Sequence, residues 1–146
     1  MHSLSPADRM FRSEFETGTL KPAVFGHREH LRLAYVHIVE HGARAAATTF
    51  SCSLRDFLKR HEVDPGKYHE TLTQAWLLAV RHFMDRTEDA ECADAFLDRS
   101  KALLDRDLLL THYSRERLFS EEARLRFVEP DLEPIPRSVG VDRAAI

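Results

Sequence analysis

The chain has 146 residues, 43% of them apolar and 31% charged, with a formal net charge of −3 and two cysteines. That length suits one domain with a real hydrophobic core. The interspersed charge leaves no basic stripe to track phosphates and argues against a nucleic-acid partner, and no uncharged apolar run reaches the roughly 18 residues of a membrane span.

The start, MHSLSPADRMFRSEF, lacks the basic opening and apolar stretch of a signal peptide. Cys52 and Cys92 form no C-x-x-C pair, so the expected setting is reduced and cytoplasmic, with both thiols as packing residues. Ser5-Pro6-Ala7-Asp8 predicts a helix start: a capping Ser, Pro in the first turn, an acid three residues after the cap. Met10, Phe11 and Phe15 give that helix an apolar side, and Gly18 can end it. Residues 19–26 form a connection broken by Pro22 and Gly26. A second helix follows from about 27 to Gly42. A third, over about 43–61, carries Ala43, Ala46, Ala47, Phe50, Leu54, Phe57, Leu58 and His61 at three- and four-residue steps. Residues 62–67 read as a turn. A fourth helix over about 67–86 puts Leu72, Ala75, Trp76, Ala79 and Phe83 on one face. A fifth lies within 88–111, bent near Arg99-Ser100. A short last helix covers 120–127, with Ser120 as cap and acids in its first turn. From Glu129 onward three prolines fall within eight residues, which predicts an extended or disordered tail.

No segment alternates at period two for long enough to be a strand. The expected fold is all-α: a single-domain antiparallel bundle of five to six helices over 1–128, with a Pro-rich tail over 129–146. The phosphate-loop, dinucleotide and nucleophile-elbow glycine patterns are all absent. HETLT (69–73) fails as a zinc-protease helix because Thr73 stands where the second His belongs.

Four of the nine histidines fall in GHREHLRLAYVHIVEHG (26–42): His27, His30, His37 and His41. At about 100° per residue they share a sector roughly 80° wide, flanking the apolar face. They cannot serve one ion, because His30 and His37 stand about 10 Å apart along the axis and ligand nitrogens lie only about 2.0–2.1 Å from a metal. The stripe divides into His27 with His30 and His37 with His41. If consecutive helices run up, down and up, His27 and His30 share one end with His69 and His61. A fifth helix running down brings His112 and Tyr113 there too. His69 faces inward at a helix start, where backbone dipoles favour the neutral imidazole that ligates metals. Against this stands the plain alternative that each histidine fills space and donates one hydrogen bond to a carbonyl, above all His37 and His41 on a helix edge.

Three blocks, FGHREHLRLA (25–34), GKYHETLTQAW (66–76) and LLTHYSRERLFSEEARLRFVEPDL (109–132), resemble a family of small uncharacterised bacterial proteins. Its pattern is H-x-x-H-L-R-x-A, then Y-H-x-T-x-T, then a His-Tyr-Ser-x-x-x-Leu segment leading to Pro-Asp-Leu. The resemblance singles out His27, His30, Tyr68, His69, Thr71 and His112, and supplies no reaction.

Three functions compete. A mononuclear metal site would take His27, His30, His69 and His112 as ligands for zinc, iron(II), nickel or copper, with Tyr68, Glu70 and Tyr113 as candidate catalytic or substrate-orienting residues. A metal-free pocket would use two helix N-termini, with Arg28 or Arg117, to bind a small carboxylate or phosphate. The third is a structural or interaction role for packed histidines. The sequence leaves enzyme activity open.

Overall fold

The computed structural model describes residues 1–137. Its first helix, α1 (Pro6–Thr17), starts as the sequence predicts. Ser5 Oγ accepts from the Asp8 amide and Asp8 Oδ2 accepts from the Ser5 amide, each at 3.1 Å. It ends where Gly18 turns left-handed at φ 83°, and it buries Phe11 and Phe15.

α2 (His27–Arg60) is two helical segments that change direction at Gly42, which sits at φ 80° and ψ 154°. A straight helix would set His30 and Phe50 about 30 Å apart; their rings stack at 5.2 Å. The element is thus two antiparallel arms, 27–41 and 43–60, the second and third helices of the sequence reading. A Cβ on Gly42 would meet nothing within 4 Å. Glycine is needed there for its backbone angles, not for space.

α3 (Glu70–Arg86) begins three residues later than expected, since Pro65–Lys67 form a 3₁₀ turn and His69 is the cap. It buries Ala75, Trp76, Ala79 and Val80 against α2. The predicted fifth helix is shorter than its pattern. Only α4 (Ala93–Arg99) is α-helical, and 3₁₀ turns follow at Lys101–Leu104 and Leu108–Thr111. The break falls at Ser100, which is buried with φ −130° and ψ 47°. Two short helices end the body, α5 (Arg115–Leu118) and α6 (Glu121–Leu125), capped by Ser114 and Ser120. The fold is all-α, with no strand among the described residues.

Residues 129–137 contain no helix or strand and lie fastened to the body. The Leu132 amide donates to His112 O at 2.9 Å. Asp131 accepts from the Ser114 amide and hydroxyl at 2.8 and 2.7 Å, and Ile135 is buried. The rest of the predicted tail, 138–146, lies outside the described residues. No helix among those described is long and apolar enough to cross a membrane.

Candidate functional site

Because the first arm of α2 and α3 both start at the same end, their opening residues face one cavity of about 580 Å³. His27, His30 and Tyr68 line it, as does His69. So do Phe25, Leu54, Phe57, Leu72, Trp76, Leu110 and Leu118, which make its floor and walls apolar. Lys67, Arg106 and Arg115 stand on its rim with a single acid, Asp107.

The three histidines are held differently. His27 Nε2–H donates to Leu103 O at 2.8 Å while its ring meets the Trp76 indole edge-on at 4.6 Å. The tautomer follows from the acceptor, since a carbonyl can only receive. Burial lowers the His27 pKa, with the Leu103 carbonyl opposing and Arg106 adding to the fall. His69 uses both nitrogens: Nδ1 accepts from the Leu72 amide at 3.0 Å and Nε2–H donates to Leu118 O at 2.9 Å. That is a neutral imidazole capping α3, and burial is the first cause of its lowered pKa. His30 is the exception. Its Nε2 is buried with no hydrogen-bond partner among the described residues. Its pKa is pushed down to about 4, first by burial and then by His27. A buried polar atom left unpaired costs about 1–3 kcal/mol, so this nitrogen is the uncompensated group of the cavity.

The remaining sequence candidates divide. His112 is not on the cavity wall, because the two 3₁₀ turns bring Leu103 to Leu110 to that end and carry the chain away again. Its Nδ1–H donates to Glu133 O at 2.8 Å, and it lies within electrostatic reach of His82, toward the far end of α3. Tyr113 is fully buried with its hydroxyl on Val128 O at 2.7 Å. The expected arrival of His112 and Tyr113 beside His27 is corrected on these contacts. His61 packs its ring on Phe57 at 4.6 Å and does not line the cavity. Glu70 faces away from it and accepts from Tyr68 OH and from Ser51 Oγ, the latter at 3.1 Å. Arg55 lies 3.7 Å from that carboxylate and 4.8 Å from the Tyr68 ring centroid. Burial and Glu70 raise the Tyr68 pKa, which keeps the phenol a donor and fixes its ring as a wall. Arg28 pairs with Asp94, and Arg117 donates to Glu129 O; neither reaches the cavity.

Lys67, Arg106 and Arg115 went unpredicted. They are turn or helix-start cations with no periodicity to mark them, and only the fold brings them together. Among the described residues none of the three has an ion-pair partner, and no group of three or more His, Cys, Asp and Glu side chains is arranged to hold a metal ion. No protein-family model matches the chain, and no curated protein or solved structure matches it either.

The cap makes a direct prediction. His69→Ala removes a helix cap and a long-range bond to α5, and is expected to cost about 2 kcal/mol. His69→Asn keeps a capping acceptor and should recover about half of that. Equal loss in both variants, read by urea unfolding, overturns the capping role.

Proposed function

We propose that this chain binds a small amphipathic anion, an apolar body with a carboxylate or phosphate head, in the cavity between the starts of α2 and α3. The observation that carries the reading is a charge inversion. In a chain of net charge −3, this cavity is rimmed by three cations against one acid. Lys67, Arg106 and Arg115 stand over an apolar, aromatic floor. A floor that takes the body of a ligand, under a few placed polar groups that take its head, is the usual build of a small-molecule site. The first two blocks of the family resemblance supply His27, His30, Tyr68 and His69 to the wall, and the third supplies Leu110, Arg115, Leu118 and Phe119. The protein acts as a cytoplasmic binding module, or as an enzyme in which neutral His30 moves a proton.

Metal binding by His27, His30 and His69 is the second reading, favoured by the unpartnered Nε2 of His30. His27 would ligate through Nδ1 with its Leu103 bond intact, whereas His69, both of whose nitrogens are engaged, would have to release either the Leu72 amide or Leu118 O.

Trp76 is the single tryptophan and sits on the cavity wall, so its fluorescence reports occupancy. Titration with medium-chain and aromatic carboxylates and phosphates is expected to change that emission. At a ligand concentration of 100 Kd, the stabilisation is about 2.7 kcal/mol, or roughly 5–10 °C in Tm. Lys67→Gln with Arg115→Gln should weaken binding at least 10-fold and leave the unliganded Tm within a degree or two. A flat response to every anion overturns the reading. A transition metal bound near one per chain in untagged protein, and lost in both His30→Ala and His69→Ala, replaces it with the second.

A further inference from the structure

The fold of α2 on itself at Gly42 builds a second, separate cavity of about 410 Å³, with His37 and His41 from the first arm facing the second. Thr49, Cys52, Ser53, Asp56 and Arg60 line it from that second arm at spacings that keep them on one helix face, and Arg12 and Glu16, paired with each other, line it from α1. Phe57 alone is common to both cavity walls.

His37 is 2% exposed. Its Nδ1 lies 2.9 Å from Thr49 Oγ1, and in the tautomer where Nδ1–H donates to that hydroxyl the lone pair is on Nε2. The same Nε2 is buried and has no hydrogen-bond partner among the described residues. A histidine whose Nδ1 is anchored to an oxygen while Nε2 is bare has the arrangement of a metal ligand oriented from behind. One helical turn on, the exposed His41 ring lies 5.6 Å from the His37 ring, centroid to centroid. A metal at about 2.0–2.1 Å from a ring nitrogen is roughly 3.2 Å from that ring's centroid, so two rings on one ion sit about 4.5–5.2 Å apart. A sub-ångström swing of the solvent-facing His41 closes the difference.

We propose that His37 and His41 chelate one divalent transition-metal ion at the mouth of this cavity. Among the described residues no third His, Cys, Asp or Glu completes a closed shell, so the other positions belong to water or an exogenous ligand. Two imidazoles with open positions select by intrinsic affinity, which orders the ions copper above nickel and zinc, and cobalt below them.

The test is calorimetric titration of untagged, chelator-stripped full chain with Cu²⁺, Ni²⁺, Zn²⁺ and Co²⁺ at pH 7.5. One ion per chain is expected, in that order of affinity. His41→Ala removes an exposed side chain, should leave the metal-free Tm unchanged, and should weaken binding at least 10-fold. Thr49→Val should weaken it about 10-fold through the freed His37 ring, while His30→Ala leaves it unchanged. No binding of any of the four ions overturns the proposal. So does binding that survives His41→Ala, and binding lost in His30→Ala would assign the ion to the other cavity.

Discussion

Acidification from pH 6.5 to 4, with chelator present, is expected to remove on the order of 5 kcal/mol of stability, enough to bring a domain of ordinary stability close to unfolding. The effect comes from His30 and His37, whose pKa values burial pushes down to about 4 from an ordinary 6.5. The sign follows from proton counting. Between pH 6.5 and 4 the unfolded chain has these imidazoles protonated and the folded chain does not, so falling pH favours unfolding; the contribution is complete above 6.5 and spent below 4. His27, His69 and His82 are shifted in the same direction, burial first among the causes in each. Around His37 the further causes are His41 and Arg12, both disfavouring a second positive charge. Urea unfolding at pH 7.5, 6, 5 and 4 reads the slope. His37→Gln should flatten it by about one proton between pH 6 and 4.5 relative to wild type. If wild type and variant lose stability in parallel, His37 is not a source of the slope.

The burial behind this prediction is partly legible in the sequence. The 3.6-residue period put Leu31, Ala34, Tyr35 and Ile38 on the core face and the histidines along its edge, and the fold buries the first set completely or nearly so. What the period could not show is the turn at Gly42. A glycine after His41 reads equally as a C-cap or as a hinge, and only the hinge stacks His30 on Phe50 and sets His37 against Thr49. The caps were legible for a different reason. Ser5 and Ser120 act on amides three residues away, so the sequence holds both partners. The His27–Leu103 and His69–Leu118 bonds span 76 and 49 residues, and no local pattern encodes them. The fifth helix lies within the expected 88–111 and ends at the expected bend near Ser100, but its apolar residues recur at helical spacing through 93–110 and do not mark that only 93–99 is α-helical. Successive 3₁₀ turns bury Leu103 and Leu109 as well as an unbroken helix would. That substitution removes His112 from the cavity and puts Arg106 on its rim. The cationic rim of the site is therefore the part that no sequence pattern encodes.

Removing the Asp8 carboxylate is expected to cost about 3–5 kcal/mol, the range for breaking a buried ion pair from one side. Asp8 is 1% exposed and is the point where three elements meet. One oxygen accepts from Arg32 of the first α2 arm at 3.1 Å; the other accepts from the Ser5 amide and from the Ala93 amide at the start of α4, at 3.1 and 3.0 Å. Sequence patterning gave it only the first of these jobs, as the acid of a capping box. Asp8→Ala strands the Arg32 guanidinium, itself stacked 4.5 Å over the Phe11 ring, and two backbone amides. Asp8→Asn keeps the shape and one acceptor, and should cost about half as much. Adding Arg32→Met to Asp8→Ala removes the stranded charge, and the double variant is expected to recover at least 1 kcal/mol over Asp8→Ala alone. Additive losses in that cycle would mean the two residues act independently. The same variants bear on the cavity. Asp8 ties the first α2 arm to α4, and the chain leaving α4 delivers Leu103 to His27. Loosening that tie at constant fold should free the His27 ring from its carbonyl and shift Trp76 emission before the helices melt. Emission that tracks global unfolding alone would show that the cavity is held shut by α3 rather than through Asp8.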